Sequence, residues 1–170
     1  MGQGLQLDEQ YLVYLLDGGG AFVNAPGLLN DLSAEQATRE IDGVNHTIAR
    51  VVAHLGYWQN WTYDGITGSP RPYPESNEVT FPGVDEGEWQ ACKDNFFEGL
   101  AAIKTLCSNP TLLTKPFAEG KISEGSHNTR NNGMTILYTV ALHNAHHYGQ
   151  IITQRQIMGI WPPATGGMGW

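Results

Sequence analysis

At 170 residues, 41% of them hydrophobic and 15% charged, the chain is long enough to bury a sizeable core and is read as one domain, 1–170. A formal net charge of −8 argues against the basic patches that nucleic acid or an anionic membrane surface would require, so neither is an expected partner. The N-terminal apolar run Tyr11-Leu12-Val13-Tyr14-Leu15-Leu16 is too short for a signal h-region and follows Asp8 and Glu9, and no run approaches a membrane span; the expected location is the cytoplasm.

The first helix is predicted from about Leu7 to Asp17, with Leu12, Leu15 and Leu16 as its apolar face, ended or bent by Gly18-Gly19-Gly20. Pro26-Gly27, lying between Phe22 and Leu28-Leu29, predicts a break followed by a second helical piece. Ser33-Ala34-Glu35-Gln36 is a capping-box pattern and should start a short helical turn before Asp42-Gly43. Asn45 is placed to cap the next helix, read as extending to about Tyr63 and stopping before Asp64-Gly65. On it Ile48, Val51, His54, Leu55, Trp58 and Trp61 recur at three- and four-residue steps, which puts His54 in an apolar stripe near mid-helix.

A Pro/Gly-rich connection from Asp64 to Val84 follows, at about twenty residues much longer than a tight turn. Such a connection can travel the full length of a bundle and let the helices on either side of it run parallel. Asp85 is read as capping a helix to about Cys107, where Trp89, Cys92, Phe96, Leu100, Ile103 and Cys107 form a clean apolar stripe with no chemistry attached. Cys92 and Cys107 would stand about 22 Å apart along that helix, beyond the reach of a disulfide, and no Cys-x-x-Cys signature exists; they read as small core residues. From Ser108 to Gly133 the chain is irregular, with Leu112-Leu113 and Phe117 tucked against the bundle and His127 in a loop. The last helix is predicted from Thr135 to Met158, before a non-helical tail from Trp161-Pro162-Pro163 to Trp170 whose tryptophans should cover an apolar end.

The last helix carries His143 and His147 one turn apart on the stripe Ile136, Val140, His143, His147, Gln150, Ile151. Two imidazoles on one inward face lie within reach of one ion, and neutral imidazole nitrogen suits divalent transition metals. The plainer alternative is a buried, hydrogen-bonded pair that holds nothing; a third ligand discriminates between the two. His54 is that candidate, because side-by-side packing of the two helices brings all three rings to a similar depth. His46 lies about 12 Å along the axis from His54 and about 80° around it, so it cannot share the same ion. His146 flanks the pair.

Three protein ligands leave a fourth tetrahedral position, the arrangement of catalytic zinc, whereas structural zinc sites are closed by four. Asn144 stands where the H-E-x-x-H pattern has its general-base glutamate, which argues against a metalloprotease. Di-iron bundles need two Glu-x-x-His motifs, and the chain has one match, Glu124 to His127, in a loop. No Gly-x-Ser-x-Gly elbow supports a serine hydrolase.

His54-Leu55-Gly56-Tyr57-Trp58 on one helix, His143-x-x-x-His147-x-Gly149-Gln150-Ile151 on the last, and the tail Trp161-Pro162-Pro163 together resemble the DinB superfamily of four-helix-bundle, metal-dependent proteins. The likeness extends over nearly the whole chain, including helix order and the long second connection. It implies an all-α, up-down-down-up four-helix bundle, often a homodimer, with a divalent metal held by three histidines that map onto His54, His143 and His147. Family members of known activity include S-transferases that use bacillithiol-type or related thiols, and a mycothiol-dependent maleylpyruvate isomerase. Tyr148 departs from the small or basic residue often found at its position, which bears on the pocket rim.

The resulting expectation is a metal-dependent enzyme of the thiol S-transferase type, or a related isomerase or hydrolase. Its ion, zinc or nickel first and iron or manganese next, would activate a low-molecular-weight thiol or water toward a small-molecule substrate. Trp58, Tyr57 and Gln150 are the expected substrate-side residues. The alternative is a non-catalytic, metal-stabilised dimeric bundle, and the third reading is a helical scaffold with an empty histidine cluster.

Overall fold

A computed structural model describes residues 9–117 and 132–163, and among these the chain is all-helical, with one isolated bridge between Pro116 and Asn132 in place of any strand. His127, Glu124, Trp170 and the expected start of the first helix at Leu7 lie outside the described residues. The elements are α1 (Glu9–Asp17), α2 (Ala25–Leu29), α3 (Ala34–Thr38), α4 (Ile48–Thr67), a single 3-10 turn at Glu78–Thr80, α5 (Trp89–Leu106), α6 (Pro110–Thr114) and α7 (Gly133–Ile157).

On α1, Leu12 and Leu16 are buried and Leu15 packs at the edge of the core. Pro26-Gly27 does not break the chain ahead of a helix, as expected, but opens one. Pro26 sits in the first turn of α2, where its missing N–H has no helical partner to lose, and the Asn24 side chain accepts from the Gly27 N–H at 2.8 Å. The capping box is present as read: Ser33 Oγ accepts from the Gln36 N–H at 3.1 Å, and Gln36 Oε1 accepts from the Ser33 N–H at 3.0 Å.

Helix α4 departs from expectation at both ends. Its cap is Thr47, whose hydroxyl accepts from the Arg50 N–H at 3.3 Å, and not Asn45 two residues earlier. Nor does it stop before Asp64-Gly65. Gly65 lies inside the helix because a Cβ there would come within 2.4 Å of the Phe117 ring, so the small residue serves close packing. The stop comes at Gly68, which takes the left-handed conformation (φ 97°, ψ 17°) and donates its N–H to the Asp64 carbonyl. Asp85 likewise acts one step earlier than expected: its side chain accepts from the Glu88 N–H and Glu88 answers at the Asp85 N–H, closing a turn that leads into Trp89.

Helix α4 packs along α5 on one side and α7 on the other, and α1 closes the ring by packing on both α7 and α5. Leu55 of α4, Phe96 and Ile103 of α5, and Leu137 and Ile151 of α7 have no exposed surface, and each such side chain contributes about 1.5–3 kcal/mol of hydrophobic stabilisation. Tyr148 belongs to this core and to no pocket rim: it is fully buried, with the Phe22 and Phe96 rings at 6.0 and 6.4 Å. Leu113 and Phe117 do tuck against the bundle.

The C-terminal end of α7 is held by a residue to which periodicity gave no role. Arg155 is 1% exposed; its guanidinium donates to the Leu28 and Ile160 carbonyls and pairs with Asp31 at 2.7 Å. The Trp161 ring lies 5.0 Å from that guanidinium, so the tail tryptophan covers a buried cation as well as apolar surface. No helix among the described residues is long and apolar enough to cross a membrane.

Candidate metal centre

The seam between α4 and α7 brings the three predicted histidines together. His54 Nε2 and His147 Nε2 each lie 3.1 Å from His143 Nε2, and the ligand atoms of all three rings fall within 4.8 Å of one another. A tetrahedral ion bonded to nitrogen at about 2.0–2.1 Å separates its ligand atoms by about 3.3–3.4 Å. The donor set fits a divalent ion: the two 3.1 Å separations are close to that spacing, and the His54 and His147 nitrogens, which fall within the 4.8 Å limit, would draw together by up to about 1.4 Å on binding.

Local packing orients each ring. Phe81, from the long connection, stacks on His54 with centroids 3.7 Å apart and planes 6° from parallel. His46, in the segment just before α4, stacks on Phe81 at 4.0 Å and reaches toward Glu78 at 3.9 Å, outside the ligand set. His54 Nδ1 lies 2.7 Å from Thr80 Oγ1, and His147 Nδ1 lies 2.7 Å from Gln150 Oε1. The Nε2 atoms are thereby turned toward the common centre.

His54 and His147 are almost completely buried, and His143 is half-buried. Burial, reinforced by the proximity of His147 and His143, pushes the His54 pKa down to about 3. Burial together with His147 and His146 lowers that of His143 to about 4. His147 is lowered by burial as well, against a hydrogen bond to Gln150 that acts in the opposite direction. All three rings are therefore neutral near pH 7, the protonation state in which imidazole binds metals.

The expected substrate-side residues are dispersed around this centre. Trp58 abuts it, with its ring 6.3 Å from His54 and 6.5 Å from His143, and Trp61 and Tyr73 pack behind it. Tyr57 instead lines a groove of about 410 Å³ with Arg71, Glu88, Cys92 and Asn95. Gln150 reaches both His147 Nδ1 and, at 3.0 Å, His146 Nε2, and lines a groove of about 640 Å³ with His46, His146 and Gln154. Neither groove has any of the three clustered histidines in its walls.

Asn144, at the position of the zincin glutamate, is 1% exposed with neither amide atom hydrogen-bonded, and so offers no general base. Both cysteines are free thiols, and burial pushes each up to about 11, which leaves them protonated and inert. Sequence reasoning missed Thr80 and Phe81. Both lie in the Pro/Gly-rich connection, where no period tells which way a side chain points; a Thr-Phe pair within an otherwise polar stretch was the only signal. No family model matches the chain, and no curated protein or solved structure matches it either.

Proposed function

We propose that this chain is a divalent-metal-binding helical-bundle protein of the DinB type, built up-down-down-up, and that it works as a metal-dependent enzyme of the thiol S-transferase kind. The observation that carries the metal reading is the convergence of three imidazole nitrogens, 3.1 Å apart in two pairs, from two separate helices. The ring of α1, α5, α4 and α7 and the long connection between α4 and α5 support the fold assignment.

In this reading His54, His143 and His147 hold zinc or nickel, with iron or manganese next in order. A bound ion of this kind supplies Lewis acidity that favours the deprotonated form of a thiol or water. Trp58 is the side chain best placed to meet a small-molecule substrate beside the half-exposed His143, and Gln150 holds His147 in line. Tyr57 takes a lesser part, from its separate groove. The protein works as a cytoplasmic homodimer.

The test is thiol consumption with epoxide or halogenated nitroarene electrophiles, run with metal-stripped and zinc- or nickel-loaded protein. Turnover that rises in proportion to occupancy is the expected result. Metal uptake without turnover would replace this reading with the non-catalytic, metal-stabilised dimeric bundle, which the burial of His54 and His147 favours.

A further inference from the structure

We propose that Thr80 and Gln150 fix where the ring protons sit in the histidine cluster, holding His54 and His147 as Nδ1–H tautomers and leaving His143 as the one ring that carries its proton on Nε2.

The first lock is read from Thr80. Its hydroxyl has one proton and lies 2.5 Å from the Asn77 carbonyl, a group that can only accept. That proton is committed to Asn77, so Thr80 Oγ1 can offer His54 only a lone pair. The 2.7 Å contact then requires the hydrogen on His54 Nδ1. A neutral imidazole carries a single N–H, which makes His54 Nε2 a bare acceptor.

The second lock is read from Gln150. Its Nε2 faces His146 Nε2 at 3.0 Å, which turns its Oε1 toward His147 Nδ1 at 2.7 Å. An amide oxygen only accepts, so His147 too is the Nδ1–H tautomer with a lone pair on Nε2.

The third ring follows from the other two. His143 Nε2 lies 3.1 Å from both of those lone pairs. A lone pair on His143 Nε2 facing the other two at 3.1 Å would repel both, so the remaining proton belongs on His143 Nε2, directed between them. To present three lone pairs to an ion, only His143 has to change: it releases the Nε2 proton and takes one up at Nδ1, with no net change in charge. His143 is also the half-exposed ring, where water can carry that exchange. Thr80 and Gln150 are thus positioning residues that prepare two ligands in advance and confine the rearrangement to the third.

The consequence for metal affinity rests on the ligand reading proposed above; the proton placement stands independently of it. The decisive measurement is long-range proton–nitrogen NMR of the histidine rings in the metal-stripped full chain at pH 7. Expected are Nδ1–H patterns for His54 and His147 and an Nε2–H pattern for His143, with His143 alone switching when zinc is added. An Nε2–H pattern at His54 or His147 overturns the proposal, whether or not the variants fold.

Zinc affinity supplies the second readout. Thr80→Val, which keeps the shape and loses the hydroxyl, should weaken zinc binding by about 10–100-fold and mix the His54 tautomers, and Thr80→Ser should restore both. Gln150→Leu should do the same at His147, with Gln150→Glu as the rescue. Wild-type affinity in Thr80→Val and Gln150→Leu overturns the positioning role. If the wild type takes up no zinc, the ligand reading fails while the NMR pattern still decides the proton placement.

Discussion

His54, His143 and His147 were legible in the sequence because a helical period fixes direction: residues at three- and four-residue steps share a face, and two such faces had to meet somewhere. What the period could not convey was the chemistry behind each ring, since Thr80 and Phe81 reach His54 from a segment with no period at all. The burial of these rings has a measurable consequence in metal-free protein. Their folded pKa values lie below the ordinary value of 6.5, at about 3 for His54 and about 4 for His143, so below pH 6.5 the unfolded chain binds protons that the folded chain does not. Stability is therefore held in full above that pH and lost as pH falls toward the folded values, at up to about 1.4 kcal/mol per pH unit for each ring. Urea denaturation of stripped protein at constant ionic strength should give a clearly lower midpoint at pH 5.3 than at pH 7.5. Equal midpoints would mean that the imidazoles are not buried in the neutral form.

Helix boundaries set by partners close in sequence are legible, and those set by distant packing are not. Ser33 and Gln36 are reciprocal partners three residues apart, so the capping box identified the start of α3 without help from tertiary structure. Asn45 and Thr47 are both competent caps, and local sequence does not choose between them. Gly65 was read as a stop because its reason for being glycine, the Phe117 ring, lies far away in the chain. Gly133, at the start of α7, is subject to a stricter constraint: a Cβ there would come within 2.5 Å of the Leu112 carbonyl oxygen, which belongs to backbone. Gly133→Ala should lose about 1–3 kcal/mol in chemical denaturation, although alanine is the better helix former by about 1 kcal/mol. Arg155 gave no signal, since a charge near a helix C-terminus reads as an ordinary solvated residue. Arg155→Met should cost about 1–3 kcal/mol, because it leaves the buried Leu28 carbonyl without a donor while the partly exposed Asp31 regains water; a change under about 0.5 kcal/mol would show that α7 does not depend on this anchor.

For the whole molecule, the arrangement of α1, α5, α4 and α7 as a closed ring determines what the histidines can do. Two of the three are buried at the α4–α7 seam and cannot turn outward, so the cluster is held at one depth whatever occupies it. The ring of helices also carries an apolar core of its own beside the histidine cluster. The most direct measurement is elemental analysis of protein purified without an affinity tag, comparing wild type with His143→Ala. We expect about one divalent ion per chain in the wild type, a three-histidine complement, and little in the variant, with both proteins folded by circular dichroism. Equal metal content in the two, or none in either after incubation with zinc and nickel, would contradict the account.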